Sequence, residues 1–290
     1  DEIKFKKKEL QKLIADDNER ELCFLMLYLV YEEEAYSNLV IKKADKIASE
    51  EGKKIDFARA MLYGTLTYSF TIDFLIRHLT KEEVGDMDPV SRTVIRMAVW
   101  QIQFGNNIPA YAAVDSAVEI TKKYNHKASG YVNAVLRKFA VCPEEMRDLE
   151  QFKPGIRVAL KPEIYGIFKK DFGKQTALEI GKALLEPAHI TVRFDAHKTD
   201  RDNLIEELKK EGITAIKGSF IPDCVEITGG LNGLENTGCF NKYGMFVQGQ
   251  GAMLASHIAH PENADKILDC CAAPGGKSTH MAQMCSDKVS

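Results

Sequence analysis

The chain has 290 residues, 45% hydrophobic and 28% charged, with a formal net charge of −3. That composition supports a packed core, excludes a fibrous, low-complexity or disordered chain, and the length allows roughly two domains. Charge is even along the chain, 21 basic against 21 acidic side chains over 1–142 and 18 against 21 beyond, so any nucleic-acid contact must come from local patches.

The opening residues DEIKFKKKEL are too polar for a secretory signal, and no run of about 18 apolar residues follows. Neither export nor membrane insertion is expected, and the cytoplasm is the default location. From about Asn18 to Ala140 apolar residues recur at helical spacing: Leu22, Leu25, Met26 and Leu29, then Ala60, Leu62, Tyr63 and Leu66, then Val94, Ile95, Ala98 and Val99. Breakers separate these runs at Gly52, at Gly85 to Pro89 with Asp88 as an N-cap, and at Gly105 to Pro109. Residues 1–142 are therefore predicted to form an all-helical bundle whose Leu, Met and aromatic stripes make the core.

The most basic local stretch, Lys122, Lys123, His126, Lys127, Arg137 and Lys138, lies near the end of this bundle, interleaved with Tyr124 and Tyr131. Such a run is either a solvated face or a phosphate-binding patch, and its tyrosines either stack on an unpaired base or pack in the core.

After Cys142-Pro143 the character changes. A short polar helix is followed by Pro154, Gly155 and Pro162, and then by shorter elements of mixed type. His189–Phe194 is β-rich, Asp200–Glu211 is a charged helix that Gly212 can cap, and Ile213–Lys217 and Cys224–Ile227 read as further strands, giving a small α/β unit over 143–244. An apolar run at Met245–Gln248 and a helix around Ala252–Ala259 open a third segment, 245–290. The seven cysteines are scattered and contain no CxxC pair, so neither a disulfide framework nor a zinc site is expected.

Lys266–Lys277 reads KILDCCAAPGGK. A short β-branched strand ends at Asp269, a small-residue turn follows, and a helix begins near Ser278. Glycine lets backbone approach a ligand or adopt positive φ, and amides at a helix N-terminus attract a carboxylate or phosphate. On these grounds alone, a ligand-binding loop and a plain connecting turn both remain open.

The full string LDCCAAPGGKSTH resembles motif I of the NusB-domain-bearing ribosomal RNA methyltransferases, the Sun/Fmu or RsmB family. The resemblance continues upstream in order: RTVIRMAVWQI, IPAYAAVDSAVEITKKY and GYVNAVLRK are similar to the helical NusB-like domain. ITVRFDAHKTDRDNLIEELKKEGI is similar to the linker domain, and GMFVQGQGAMLA to the segment before the catalytic domain. It implies an all-α NusB-like bundle, a small α/β linker domain, and the first β-strand and helix of an incomplete Rossmann-like class I methyltransferase domain. It further implies that Cys271, Ala272, Ala273, Pro274, Gly275, Gly276 and Lys277 wrap S-adenosylmethionine. Backbone amides would make most of the contacts, with Lys277 either meeting the methionine carboxylate or remaining solvated.

The implied chemistry is methylation of C5 of a cytosine in small-subunit (16S) ribosomal RNA. A cysteine thiolate adds to C6, C5 takes the methyl group, and a base removes the C5 proton. In the family that cysteine lies well downstream of motif I, as does the carboxylate that holds the cofactor ribose. Neither Cys270 nor Cys271 is expected to replace the nucleophile, so the chain itself is expected to have no turnover. The basic patch is implied to contact ribosomal RNA through Lys122, Lys123, Lys127, Arg137 and Lys138. Two departures stand out: VQGQGAM has Gly249 and Ala252 where the family shows Asp and Ser, and VALKPEIY keeps Pro162 but lacks the aromatic and His before it. The competing expectation is a non-enzymatic NusB-like RNA- or protein-binding module.

Overall fold

The apolar stripes of the first half become helices that start where the sequence supplies caps. The computed structural model describes residues 7–187, 190–230, 234–261 and 266–285, and the chain divides into two compact units, Asp1–Glu186 and Pro187–Ser290. The first unit contains α1 (Lys7–Ala15), α2 (Glu19–Glu32), α3 (Ser37–Glu50), α4 (Asp56–Thr67), α5 (Ser69–Thr80), α6 (Pro89–Phe104), α7 (Ala110–Tyr124) and α8 (Ser129–Ala140). Asp88 caps α6 as expected, its carboxylate accepting the Ser91 amide at 3.1 Å with Pro89 in the first turn.

Helix α6 runs through the core, with Val94, Ile95, Met97, Ala98 and Val99 fully buried. It packs so closely on α4 that a Cβ on Gly64 would lie 2.2 Å from the Trp100 ring. On the flank of α6 the Arg96 guanidinium makes two 2.8 Å bonds to Asp73 and lies 4.5 Å from the Tyr31 ring centroid.

The mixed elements expected directly after residue 143 prove to be helical up to Leu185. Two short turns, α9 (Glu144–Arg147) and α10 (Pro154–Arg157), precede α11 (Pro162–Leu185), which bends at Gly173 where φ reaches 82°. Thr71 of α5 donates to the Ile156 carbonyl at 2.6 Å, tying this segment to the bundle. Of its glycines at 166, 173 and 181, Gly173 alone adopts positive φ, and it kinks the helix rather than ending it.

The second unit is built on a four-stranded antiparallel sheet of order β2-β3-β1-β4. Its elements are β1 (Ile190–Arg193), α12 (Arg201–Lys210), β2 (Thr214–Lys217), β3 (Cys224–Gly229), α13 (Gly238–Lys242), β4 (Phe246–Val247), α14 (Gln250–Ala259) and α15 (Gly276–Met284). His189, expected to begin the first strand, lies outside the described residues. Gly212 does terminate α12: with φ at 81° it lets the Ile213 amide reach the Leu208 carbonyl at 2.9 Å and its own amide reach Lys209 at 3.1 Å.

Strand periodicity sorts the side chains of this sheet onto two faces. Val192, Phe194, Val225 and Ile227 join Leu204, Leu208 and Tyr243 in an apolar core. The alternating positions Thr191, Arg193 and Glu226 are buried polar groups on the other face, bonded to Gln248, Thr279 and Gln250 around the starts of α14 and α15.

Of the expected strand, turn and helix around the glycine motif, turn and helix are present. The strand expected at Lys266–Asp269 is not formed. A strand requires a neighbour to receive its amides and carbonyls, and none of the four strands pairs with this segment, whose Leu268 is 86% exposed. Among the described residues no helix is long and apolar enough to cross a membrane.

Candidate functional site

The glycine motif forms a turn closed by short-range hydrogen bonds. Asp269 accepts from the Cys271 amide at 2.9 Å and from the Ser278 hydroxyl at 2.6 Å, so one carboxylate ties both ends of the turn together. The Ser278 hydroxyl, seconded by the Cys271 amide, holds that carboxyl below its ordinary value. Gly275 adopts φ 104°, ψ −4°, and its carbonyl accepts the Thr279 amide at 2.9 Å, the first bond of α15. A side chain is strained at that φ. At Gly276 a Cβ would come no nearer than 3.6 Å to its neighbours, in ordinary contact with Gln248, so the second glycine is not demanded by sterics.

The amides of Gly276, Lys277 and Ser278 precede the first intrahelical bond and carry the positive end of the α15 dipole. Cys271, Ala272, Ala273, Pro274 and Lys277 are exposed and Gly275 and Gly276 half-buried, so all seven expected cofactor-contacting residues lie together on one accessible turn. The Ala273-Pro274 peptide is cis.

Beneath this turn sits a residue the sequence did not single out. Arg193 is 1% exposed; its Nε donates to Gln248 Oε1 at 2.7 Å and its Nη2 to the Thr279 hydroxyl at 2.6 Å. The Phe246 ring centroid is 4.8 Å from the guanidinium carbon. Among the described residues no carboxylate bonds it, and burial lowers its pKa to about 10, with Asp223 opposing the shift from a distance. Arg193 Nη1 and Gln248 Nε2 are buried and find no partner among the described residues. The only sequence signal was the alternation of ITVRF, which places an arginine on a strand face otherwise destined for burial.

Close by, Asp223 accepts from His257 Nε2 at 2.6 Å and contacts His280 Nε2 at 2.7 Å, across sequence separations of 34 and 57 residues. Nothing in the local sequence pattern announces that cluster. Gly249 begins α14 in extended backbone with no side-chain cap, and a Cβ placed there meets nothing within 4 Å. The position thus accepts the acid that the resemblance leads one to expect.

In the first unit the basic stretch is divided. Lys122 pairs with Glu119 at 2.7 Å, Lys123 bonds the largely buried Glu21 carboxylate, and Lys138 donates to the Thr80 carbonyl at 3.3 Å. Lys127 and Arg137 are exposed, without a partner among the described residues. Tyr124 is a packing residue: its ring lies 5.0 Å from Phe24 and its hydroxyl bonds Glu21 at 2.8 Å and Glu9 at 3.0 Å. Tyr131 is the more exposed of the two, at 37%.

Fold and site together define a modular chain: a helical module, an antiparallel sheet module, and a glycine turn opening a helix in the manner of nucleotide and cofactor loops. Comparison with known proteins makes the assignment specific. Residues 17–141 match the NusB family, 164–232 the ferredoxin-like domain of RsmF/B-like methyltransferases, and 256–290 the 16S rRNA methyltransferase RsmB/F family. A Bacillus subtilis protein described as a probable ribosomal RNA small subunit methyltransferase B is 28% identical over 93% of this chain and 61% of its own length. A Synechocystis protein of the same description is 24% identical over the same shares. The transcription antitermination protein NusB of Pelotomaculum thermopropionicum is 36% identical over 36% of this chain and 74% of its own length. The crystal structure of PH0851 shares the fold, with a TM-score of 0.64 at 18% identity over 92% of this chain and 61% of that one. The chain carries a NusB-family domain, followed by segments that match the ferredoxin-like domain and the methyltransferase model of the RsmB/F family. It spans about 61% of the length of the curated relatives it matches along most of its own.

Proposed function

We propose that the parent protein transfers a methyl group from S-adenosylmethionine to C5 of a cytosine in 16S ribosomal RNA, and that Cys271–Lys277 is the cofactor-binding turn. The observation that carries this reading is the conjunction of Gly275 at φ 104° with the first-turn amides of α15 on an exposed surface. These residues fit the group, because a carboxylate-bearing ligand meets N–H donors and a helix dipole there without a side chain in the way. When bound, the cofactor supplies a methyl group already activated on a sulfonium. Asp269 holds the turn closed, Gly276 to Ser278 carry the free first-turn amides, and the exposed Lys277 would meet the cofactor carboxylate.

The nucleophile is not among the seven cysteines of this chain. Burial raises the thiol pKa of Cys23, and pushes those of Cys224 and Cys239 to about 12, the reverse of what a thiolate nucleophile requires. Cys270 and Cys271 belong to the turn itself, Cys142 is in the helical unit, and Cys285 is the C-cap residue of α15, at the end of the helix away from the turn. We therefore propose that this chain alone has no turnover. An assay of methyl transfer to small-subunit RNA tests the proposal: none is expected from the 290-residue chain, and measurable transfer overturns it.

The division 1–142, 143–244 and 245–290 is retained as a proposal for the functional modules, with ribosomal RNA the partner of the first. Lys127 and Arg137 are the leading contacts because their charges are not engaged by protein partners among the described residues. Lys122, Lys123 and Lys138 join them by exchanging the intramolecular bonds they now make. The match to a NusB protein favours a second reading for the helical unit taken alone, an RNA- or protein-binding module without catalysis. Replacing Lys127 and Arg137 with Ala should weaken salt-dependent binding to a ribosomal RNA hairpin, and unchanged binding removes the patch from the account.

A further inference from the structure

We propose that Asp223, His257 and His280 form a binding site for one divalent ion of the zinc class. The three residues come from separate elements: Asp223 from the turn entering β3, His257 from α14 and His280 from α15. One ligand atom from each lies within 4.8 Å of the others. The carboxylate stands between the rings, one oxygen 2.6 Å from His257 Nε2 and the other 2.7 Å from His280 Nε2, and the rings are 5.3 Å apart at 73°. Each Nε2 is thus aimed at a shared point and has Asp223 as its partner.

Zinc bonds of about 2.0–2.2 Å to imidazole and carboxylate place tetrahedral donors roughly 3.3 Å apart, so an ion enters if each histidine nitrogen draws back by roughly 0.6 Å from the carboxylate oxygen it contacts. Two imidazoles with one carboxylate suit zinc and its transition-metal neighbours, whereas magnesium and calcium prefer all-oxygen sets. The burial gradient also fits. His280 is fully buried and Asp223 nearly so, while the His257 side chain is 24% exposed and, with Asp223, lines a cleft of about 510 Å³. The fourth position therefore opens on the cleft, where water completes the coordination.

Such an ion joins the turn before β3 to α14 and to α15, the helix whose N-terminus carries the glycine turn. It would stabilise that turn's support without contacting it. The expectation that no metal binds came from cysteine spacing, which is silent about a carboxylate and two histidines brought together from distant positions.

The test is titration of the 290-residue chain, stripped by chelator, with zinc chloride in metal-free buffer near neutral pH. One equivalent should bind and raise Tm, and magnesium chloride should do neither. His257→Ala and Asp223→Asn should each weaken zinc uptake by at least about tenfold. His257 is partly solvent-facing, so its Ala variant should keep the wild-type far-UV circular dichroism, and His257→Gln provides a bulk-preserving replacement. Cobalt-loaded protein should show no thiolate-to-metal absorption band. Absence of stoichiometric zinc uptake overturns the proposal. So does uptake undiminished in the folded His257 variants, or a thiolate band, either of which assigns the ion to cysteines such as the exposed Cys270 and Cys271.

Discussion

Arg96 and Arg193 are both drawn largely out of water, one in each unit, and their surroundings differ in kind. Arg96 meets the Asp73 carboxylate through two 2.8 Å bonds, which outweigh the opposing effect of burial and hold its pKa above the ordinary value. Among the described residues Arg193 meets only neutral oxygens and leaves Nη1 without a partner, and burial lowers its pKa to about 10. Around it Gln248 Nε2, His280 Nδ1 and Gln283 Oε1 are likewise buried without partners among the described residues. In the helical unit Arg96 has its carboxylate partner, while Thr65 Oγ1, Trp100 Nε1 and Arg157 Nε are buried there without partners among the described residues. The difference lies in placement: the sheet unit's unmatched atoms sit on Arg193, on Gln248 and on α15, the helix that the glycine turn opens, and such groups mark places where function or a further partner sets the terms.

That comparison can be broken by mutation. The largest effect is expected for Gly64→Ala, because its Cβ would stand 2.2 Å from the Trp100 ring between α4 and α6. A loss of about 3 kcal/mol is predicted by denaturant unfolding. An effect near zero would show that the helical unit is not close-packed there.

Next comes the direct contrast. Asp73→Ala strips a paired arginine and should cost about 1–2 kcal/mol, discounted because the Asp73 side chain is 36% exposed. Arg193→Met removes a charge that lacks a counter-charge and should change stability by less than about 1 kcal/mol in either direction. A reversed order of these two effects would contradict the distinction drawn between the units.

Asp88→Ala should cost about 1 kcal/mol through loss of the α6 cap. Its pH dependence follows from the carboxyl itself. Burial pushes its pKa up, but hydrogen bonds from Ser91 and Asn125 overcome that and hold it below the ordinary value. The stabilisation is therefore fully present above the unfolded value of about 3.9 and is lost as pH falls through the lower folded value. Tm curves of wild type and variant should begin to approach each other only below about pH 4 and meet below the depressed folded pKa. The smallest effect is expected for Gly249→Asp, which adds an N-cap to α14 in open space and should stabilise by a few tenths of a kcal/mol, about 0.3.

Much of the fold was legible because its signals are local. The Asp88 cap, the Gly212 stop and the strands around Val192, Ile216 and Val225 each depend on residues within a few positions. Helix α11 was not legible, since Ile164, Ile167, Phe172 and Leu184 are exposed and obscure any apolar stripe. The strand at Lys266–Asp269 was over-read, because propensity alone does not supply a pairing partner. At the site, the turn was visible as a contiguous string, in which Gly275 adopts positive φ. Arg193 and the Asp223–His257–His280 cluster were not, because their relationships exist only after the sheet brings distant residues together.

The central claim is that Cys271–Lys277 is a cofactor turn, and isothermal titration of the chain with S-adenosylmethionine tests it most directly. Saturable heat is predicted for the wild type, weakened in Gly275→Ala, whose side chain opposes the φ of 104° on which the turn depends. No heat at millimolar S-adenosylmethionine, or binding indifferent to Gly275, would contradict the account.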